Sequence, residues 1–147
     1  MESAGLHVMM DAFVVDPSVF TRSRLEILFG KLVTALDMKP LDKAMVYEVP
    51  CDPEVLERVQ QTGVFEDEGG ITSFQVISTS HMSLHAWPLQ NFMSVDAFSC
   101  KSFDSELALS IIRAEMGVST ESTHVIPRYK PARAHMERPV EAESVRA

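Results

Sequence analysis

The stretch ITSFQVISTSHMSLHAWPLQNFMSVDAFSC, residues 71–100, decides the fold. Residues 71–78, 82–87 and 93–100 read as three strands in quick succession, rich in Val, Ile, Phe and Trp. The turns between them are too short for a crossover helix, so the three form an antiparallel meander.

The flanks supply helices. Upstream, residues 6–15 read as a first strand, closed by Asp16-Pro17. Over 18–38, Leu25, Leu28, Leu32 and Ala35 recur at helical spacing with Leu36 beside them, while Arg22, Arg24 and Lys31 lie off that stripe. Pro40 ends the run, and 44–49 is a short strand. Asp52-Pro53-Glu54 has the form of an N-cap followed by Pro at the first helical position, opening a short helix that Gly63 stops. Glu66-Asp67-Glu68-Gly69-Gly70 is an acidic turn. Its consecutive carboxylates lack the alternating spacing of a calcium or magnesium loop. Downstream, Asp104 or Ser105 caps a helix carrying Leu107, Ile111, Ile112 and Met116, closed by Gly117. Residues 124–127 form a last short strand. The order β-α-β-(α)-β-β-β-α-β predicts an α+β fold, a mostly antiparallel sheet with helices packed on one face. Residues 1–127 form the domain and the polar segment 128–147 a tail.

The chain has 147 residues, 46% hydrophobic and 23% charged, with a net charge of -8. Such a charge disfavours phosphate-backbone binding, so no nucleic-acid partner is expected. No apolar run approaches the length of a membrane span. Cys51 and Cys100 make no disulfide framework, and Met1–Gly5 shows no basic, then apolar, leader. A cytoplasmic setting is the expectation.

Residues 76–88 carry the chemistry: Ile77-Ser78-Thr79-Ser80-His81, then His85, then Trp87-Pro88, with Val95-Asp96 and Cys100 on the next strand. This resembles the prokaryotic-type S-adenosylmethionine decarboxylase proenzyme family. Its hallmark is a strand ending Ile-Ser-Glu-Ser-His, a His, a Trp-Pro, and a Val-Asp strand ending in Cys. Gly5 and His7 match the family's Gly-x-His opening. The resemblance covers residues 1–127.

It implies a self-processing enzyme with a four-part logic. Ser80 attacks the Thr79 carbonyl, the chain cleaves into 1–79 and 80–147, and Ser80 becomes a pyruvoyl group. That covalent cofactor forms a Schiff base with a substrate amine and acts as an electron sink. His85 and Thr72 match the residues that assist processing, and Cys100 matches the thiol that protonates the product. Trp87 matches an adenine-stacking aromatic, a role Phe65 shares from one position out of register. The implied assembly is a homodimer with active sites near the shared edge, and the implied product is decarboxylated S-adenosylmethionine for spermidine synthesis.

The residues also admit other readings. Taken singly, His85 reads as a hydrogen-bonded sheet histidine, Trp87 as core or interface, and Cys100 as a small buried hydrophobe. His81, His85 and Cys100 are zinc-ligand types, but no Cys-x-x-Cys accompanies them and no metal is expected. No Gly-x-Ser-x-Gly elbow surrounds Ser80. Thr79 stands where the family has Glu. Leu89 replaces a Glu that grips ribose hydroxyls, and residues 64–73 depart from the family's approach segment. These changes leave open a decarboxylase of ornithine or arginine, or a non-cleaving binding partner.

Overall fold

The computed structural model describes residues 1–64 and 69–134. Its elements are β1 (Ser3–Val14), α1 (Arg22–Ala35), β2 (Met45–Val49), α2 (Pro53–Thr62), β3 (Gly70–Ile77), β4 (Ser80–Trp87), β5 (Phe92–Ser99), α3 (Ser105–Met116) and β6 (Val118–Tyr129). The strands form one antiparallel sheet in the order β2-β3-β4-β5-β1-β6. The meander of 71–100 is its centre, and β1 inserts between β5 and β6.

The period-two alternation of the strands divides the sheet into two faces. One presents Val8, Met10 and Ala12 of β1, Met82, Leu84 and Ala86 of β4, and Met93, Val95 and Ala97 of β5, all buried. Against it lie Leu25, Leu28, Phe29 and Leu32 of α1 and Leu109, Ile112 and Met116 of α3. The two helices are tied by a Lys31–Glu115 ion pair, and α3 is tied to β6 by Arg113, whose Nε donates to both Glu121 oxygens at 2.7 and 2.9 Å. Neither α1 nor α3 covers the other face.

Local chemistry explains where the elements differ from expectation. The stretch 18–38 holds two elements: a 3-10 turn, Pro17–Val19, capped by Asp16, and then α1, capped by the Thr21 hydroxyl accepting the Arg24 N–H. Asp37, at φ 52°, turns the chain out of α1. In α3 the sheet-facing row is Ala108, Leu109, Ile112 and Met116, while Leu107 is 38% exposed. The last strand is much longer than 124–127. Its residues are almost all exposed, so it shows no apolar alternation to read, yet it pairs along nearly all of β1 from Val118 to Tyr129. Arg128 and Tyr129 therefore belong to the sheet.

Gly5 sits where β1 crosses the end of β5. At φ 124°, a Cβ there would meet the Ser99 carbonyl oxygen at 2.1 Å and the Cys100 Cα at 2.7 Å. Backbone atoms cannot step aside as a flexible side chain can. Gly5→Ala is expected to destabilise the fold by about 1–3 kcal/mol, read as a lower urea midpoint with unchanged m.

Candidate active site

Ser80 opens β4 directly after a two-residue turn, Ser78-Thr79, between paired Ile77 and Ser80. It has φ 152°, one of three non-glycine residues at positive φ among the described residues. Such a conformation costs on the order of 1–3 kcal/mol and persists only where the surroundings impose it. Two contacts impose it here. The Cys100 N–H donates to the Thr79 carbonyl oxygen at 2.8 Å, and the Ser99 hydroxyl donates to Thr79 Oγ1 at 2.9 Å. Ser80 is paired with Ser99 across the ladder, so Cys100, itself exposed, lies at the same end of the sheet.

Thr72 and His85 are directly opposite one another on β3 and β4, and Thr72 Oγ1 lies 3.2 Å from His85 Nδ1. Trp87 follows on the same face, its ring 6.4 Å from that of His85 and 5.7 Å from that of Phe92. Thr72, His85 and Trp87 line a cavity of about 160 Å³ with Val49, Gly69 and Gly70. Phe65 and the acidic residues 66–68 lie outside the described residues.

The candidate residues thus fall into two groups, one toward each end of β4. Thr79, Ser80 and Cys100 form one; Thr72, His85 and Trp87 form the other. Five residues of extended strand separate Ser80 from His85, roughly 16 Å at about 3.3 Å per residue. Within one protomer the meander does not bring His85 and Trp87 beside Ser80. Each group has an aromatic setting. Near Ser80, the His81 ring stacks on Phe74 at 5.3 Å and meets Phe98 edge-on at 6.0 Å, and the Arg128 guanidinium lies 4.2 Å over Phe98. At the far end, Trp87, Phe92 and Phe13 make a second cluster. Between them His7 Nε2 approaches Asp96 at 3.5 Å, and Ser94 donates to Asp11 at 2.6 Å.

Two exposed carboxyls are held below their ordinary range. Glu2 is lowered by its bond from Lys130, and Asp16 by the Ser18 backbone N–H. No cluster of three metal-ligating side chains occurs among the described residues, and no helix there is long and apolar enough to cross a membrane.

The S-adenosylmethionine decarboxylase family model matches residues 6–129, from within β1 to the end of β6. The chain belongs to that family. Its relatives include proteins named S-adenosylmethionine decarboxylase proenzyme. The one from Anoxybacillus flavithermus is 30% identical over 59 residues, 40% of this chain and 48% of the relative. That from Prochlorococcus marinus is 32% identical over 69 residues, 46% of this chain and 54% of the relative. The matched stretches span about half the length of these relatives. A crystal structure of the adenosylmethionine decarboxylase from Aquifex aeolicus superposes with a TM-score of 0.67 at 19% identity, covering 93% of this chain and all of that one. The fold is therefore that of an S-adenosylmethionine decarboxylase.

Sequence reasoning did not find Ser99. The signal was available in parity: Met93, Val95, Ala97 and Ser99 share the inward face of β5, and a hydroxyl at the end of an apolar row needs a partner. The backbone bond from Cys100 to Thr79 carries no sequence signal.

Strain at Ser80 can be measured without cleavage. Ser80→Gly and Ser80→Ala both lack the hydroxyl, but only glycine accepts φ 152° without cost. Ser80→Gly is expected to be the more stable by about 1 kcal/mol in urea unfolding; equal stabilities would show that the turn is relaxed.

Proposed function

We propose that this chain is the precursor of a pyruvoyl-dependent decarboxylase that cleaves itself between Thr79 and Ser80 and acts on S-adenosylmethionine in polyamine synthesis. One observation carries this reading: the carbonyl that Ser80 would attack already accepts a backbone N–H, while Ser80 itself is held at strained φ. Addition of Ser80 Oγ to the Thr79 carbonyl carbon pushes charge onto the carbonyl oxygen, where the Cys100 N–H stabilises it. The C–N bond breaks, its nitrogen takes a proton, and Thr79 is left as an ester on Ser80. Loss of the Ser80 α-proton then breaks the Cβ–O bond and releases Thr79 as a carboxylate. The unsaturated residue takes up water and loses ammonia, leaving a pyruvoyl group at position 80. That group supplies an electron sink for loss of carbon dioxide from an α-amino acid. Cys100, at the same sheet end, is placed to return a proton to the product carbon.

His85, matched to the processing histidine, lies roughly 16 Å along the strand from Ser80 within one protomer. A second copy packed about a two-fold axis against the face that α1 and α3 leave open would bring its Thr72–His85–Trp87 end toward the Ser80–Cys100 end of this one. Both copies would gain one complete site, and the aromatic clusters would be covered. The homodimer is thus part of the proposal, as is its setting in the cytoplasm, where Cys51 and Cys100 stay reduced.

A specific observation favours a second substrate reading. Leu89, 42% exposed in the turn after Trp87, offers no acceptor for ribose hydroxyls. A basic amino acid, ornithine or arginine, would not miss it. Side-by-side carbon dioxide release from S-adenosylmethionine, ornithine and arginine separates the two; turnover of an amino acid alone would replace the nucleoside reading.

Intact-mass analysis should show two pieces, 1–79 and 80–147, the second with a blocked N-terminus, whereas Ser80→Ala stays whole. The pieces should co-elute under native conditions, since β1 of the first is laddered to β5 and β6 of the second. Wild-type protein that stays intact for days would leave the non-cleaving, binding-partner reading standing. The dimer has its own test. His85→Ala alone should not cleave, but mixed with Ser80→Ala it should, because the mixed dimer regains one site with both groups. Failure of the mixture to cleave would put the processing base in the same chain.

A further inference from the structure

We propose that Ser99 is a positioning residue for self-cleavage, acting through the Thr79 side chain; the proposal rests on the self-cleavage reading above. Ser99 is 1% exposed, one of three buried polar residues among the described residues. It stands at the end of the apolar row Met93, Val95, Ala97, where a bare hydroxyl would be costly. Both of its hydrogen-bonding functions are used. It accepts the Lys101 N–H at 3.1 Å and donates to Thr79 Oγ1 at 2.9 Å. The next residue, Cys100, donates its N–H to the carbonyl of the same threonine at 2.8 Å.

Thr79 is therefore gripped at two atoms by two consecutive residues. A single bond to the carbonyl oxygen lets the Thr79–Ser80 peptide rock about the N–H···O axis. The second bond, to Oγ1, removes that freedom and fixes which face of the carbonyl carbon meets Ser80 Oγ. Small errors of placement at a reacting carbonyl are expensive in rate. The gripping segment is itself held, because Gly5 lets β1 lie against the Ser99 carbonyl and the Cys100 Cα. A small polar cavity of about 120 Å³, lined in part by Asp37, Lys39, Lys101 and Ser102, lies beside the pair. Thr79 occupies a position where the family has glutamate, and a hydroxyl-to-hydroxyl bond suits this chain's own residue.

The test compares cleavage rate constants of freshly made precursors, followed by intact mass, with thermal melting of each variant made uncleavable by Ser80→Ala. Ser99→Ala is expected to slow cleavage about tenfold, the loss of one positioning hydrogen bond. Ser99→Thr, which keeps the hydroxyl, should restore a rate close to wild type. Thr79→Val should slow cleavage to a similar degree, and the double variant should be no slower than either single. Multiplying effects in the double variant, or a wild-type rate in Ser99→Ala, would overturn the proposal while leaving self-cleavage in place. Equal slowing by Ser99→Ala and Ser99→Thr, with melting lowered in step, would also overturn it in favour of a packing role. An intact wild-type chain would instead remove both this proposal and the reading it rests on.

Discussion

The close approach of Gly5 to the Ser99–Cys100 segment is the constraint on which the rest of the molecule turns. Strand β1 enters the sheet between β5 and β6, and it can do so at its start only because position 5 has no Cβ. That contact holds the end of β5 against the β3–β4 turn. From there the Cys100 N–H and the Ser99 hydroxyl reach Thr79. A backbone packing requirement near the start of β1 is thus transmitted, through two hydrogen bonds, to the Thr79–Ser80 peptide group far along the sequence. The strained φ of Ser80 is the far end of the same chain of contacts.

The second organising fact is the inequality of the two sheet faces. One is closed by α1 and α3 over Leu, Met and Val side chains. The other displays His, Phe, Trp, Ser and Asp in rows, with ring contacts running along it. Aromatic and polar residues on a strand face that α1 and α3 leave open suit a surface that meets another surface. The reactive groups lie toward opposite ends of β4, too far apart to act on each other in one copy. The same separation becomes useful when a second copy is turned end for end. The arrangement therefore links assembly to chemistry, with the distance along β4 as the reason.

Residue spacing made much of this legible. The Asp52 and Asp104 caps and the Gly63 and Gly117 stops fall where their chemistry demanded, because capping is local and reads directly from side-chain type. The central meander was equally plain, since short turns leave antiparallel pairing as the only option. The long β6 was not legible: an exposed edge strand has no apolar face, so nothing in Ser119–Thr123 marks it. The break between the 3-10 turn and α1 was missed because the leucine stripe suggested one helix, whereas the Thr21 cap set its start.

For the site, the sequence by itself determined which residue types are present and how they are spaced: Ser80 after Thr79, His85 and Trp87 on one face of a strand, Cys100 at the end of the next. Side-chain alternation and the family's motif are properties of linear order, so they survive without coordinates. Only the tertiary structure decided which of these residues meet. Strand pairing brought Thr79 to Cys100 and Thr72 to His85, and strand length kept those two pairs apart. Ladder register and distance along a strand arise from pairing across the sheet, and no single segment of the chain contains them.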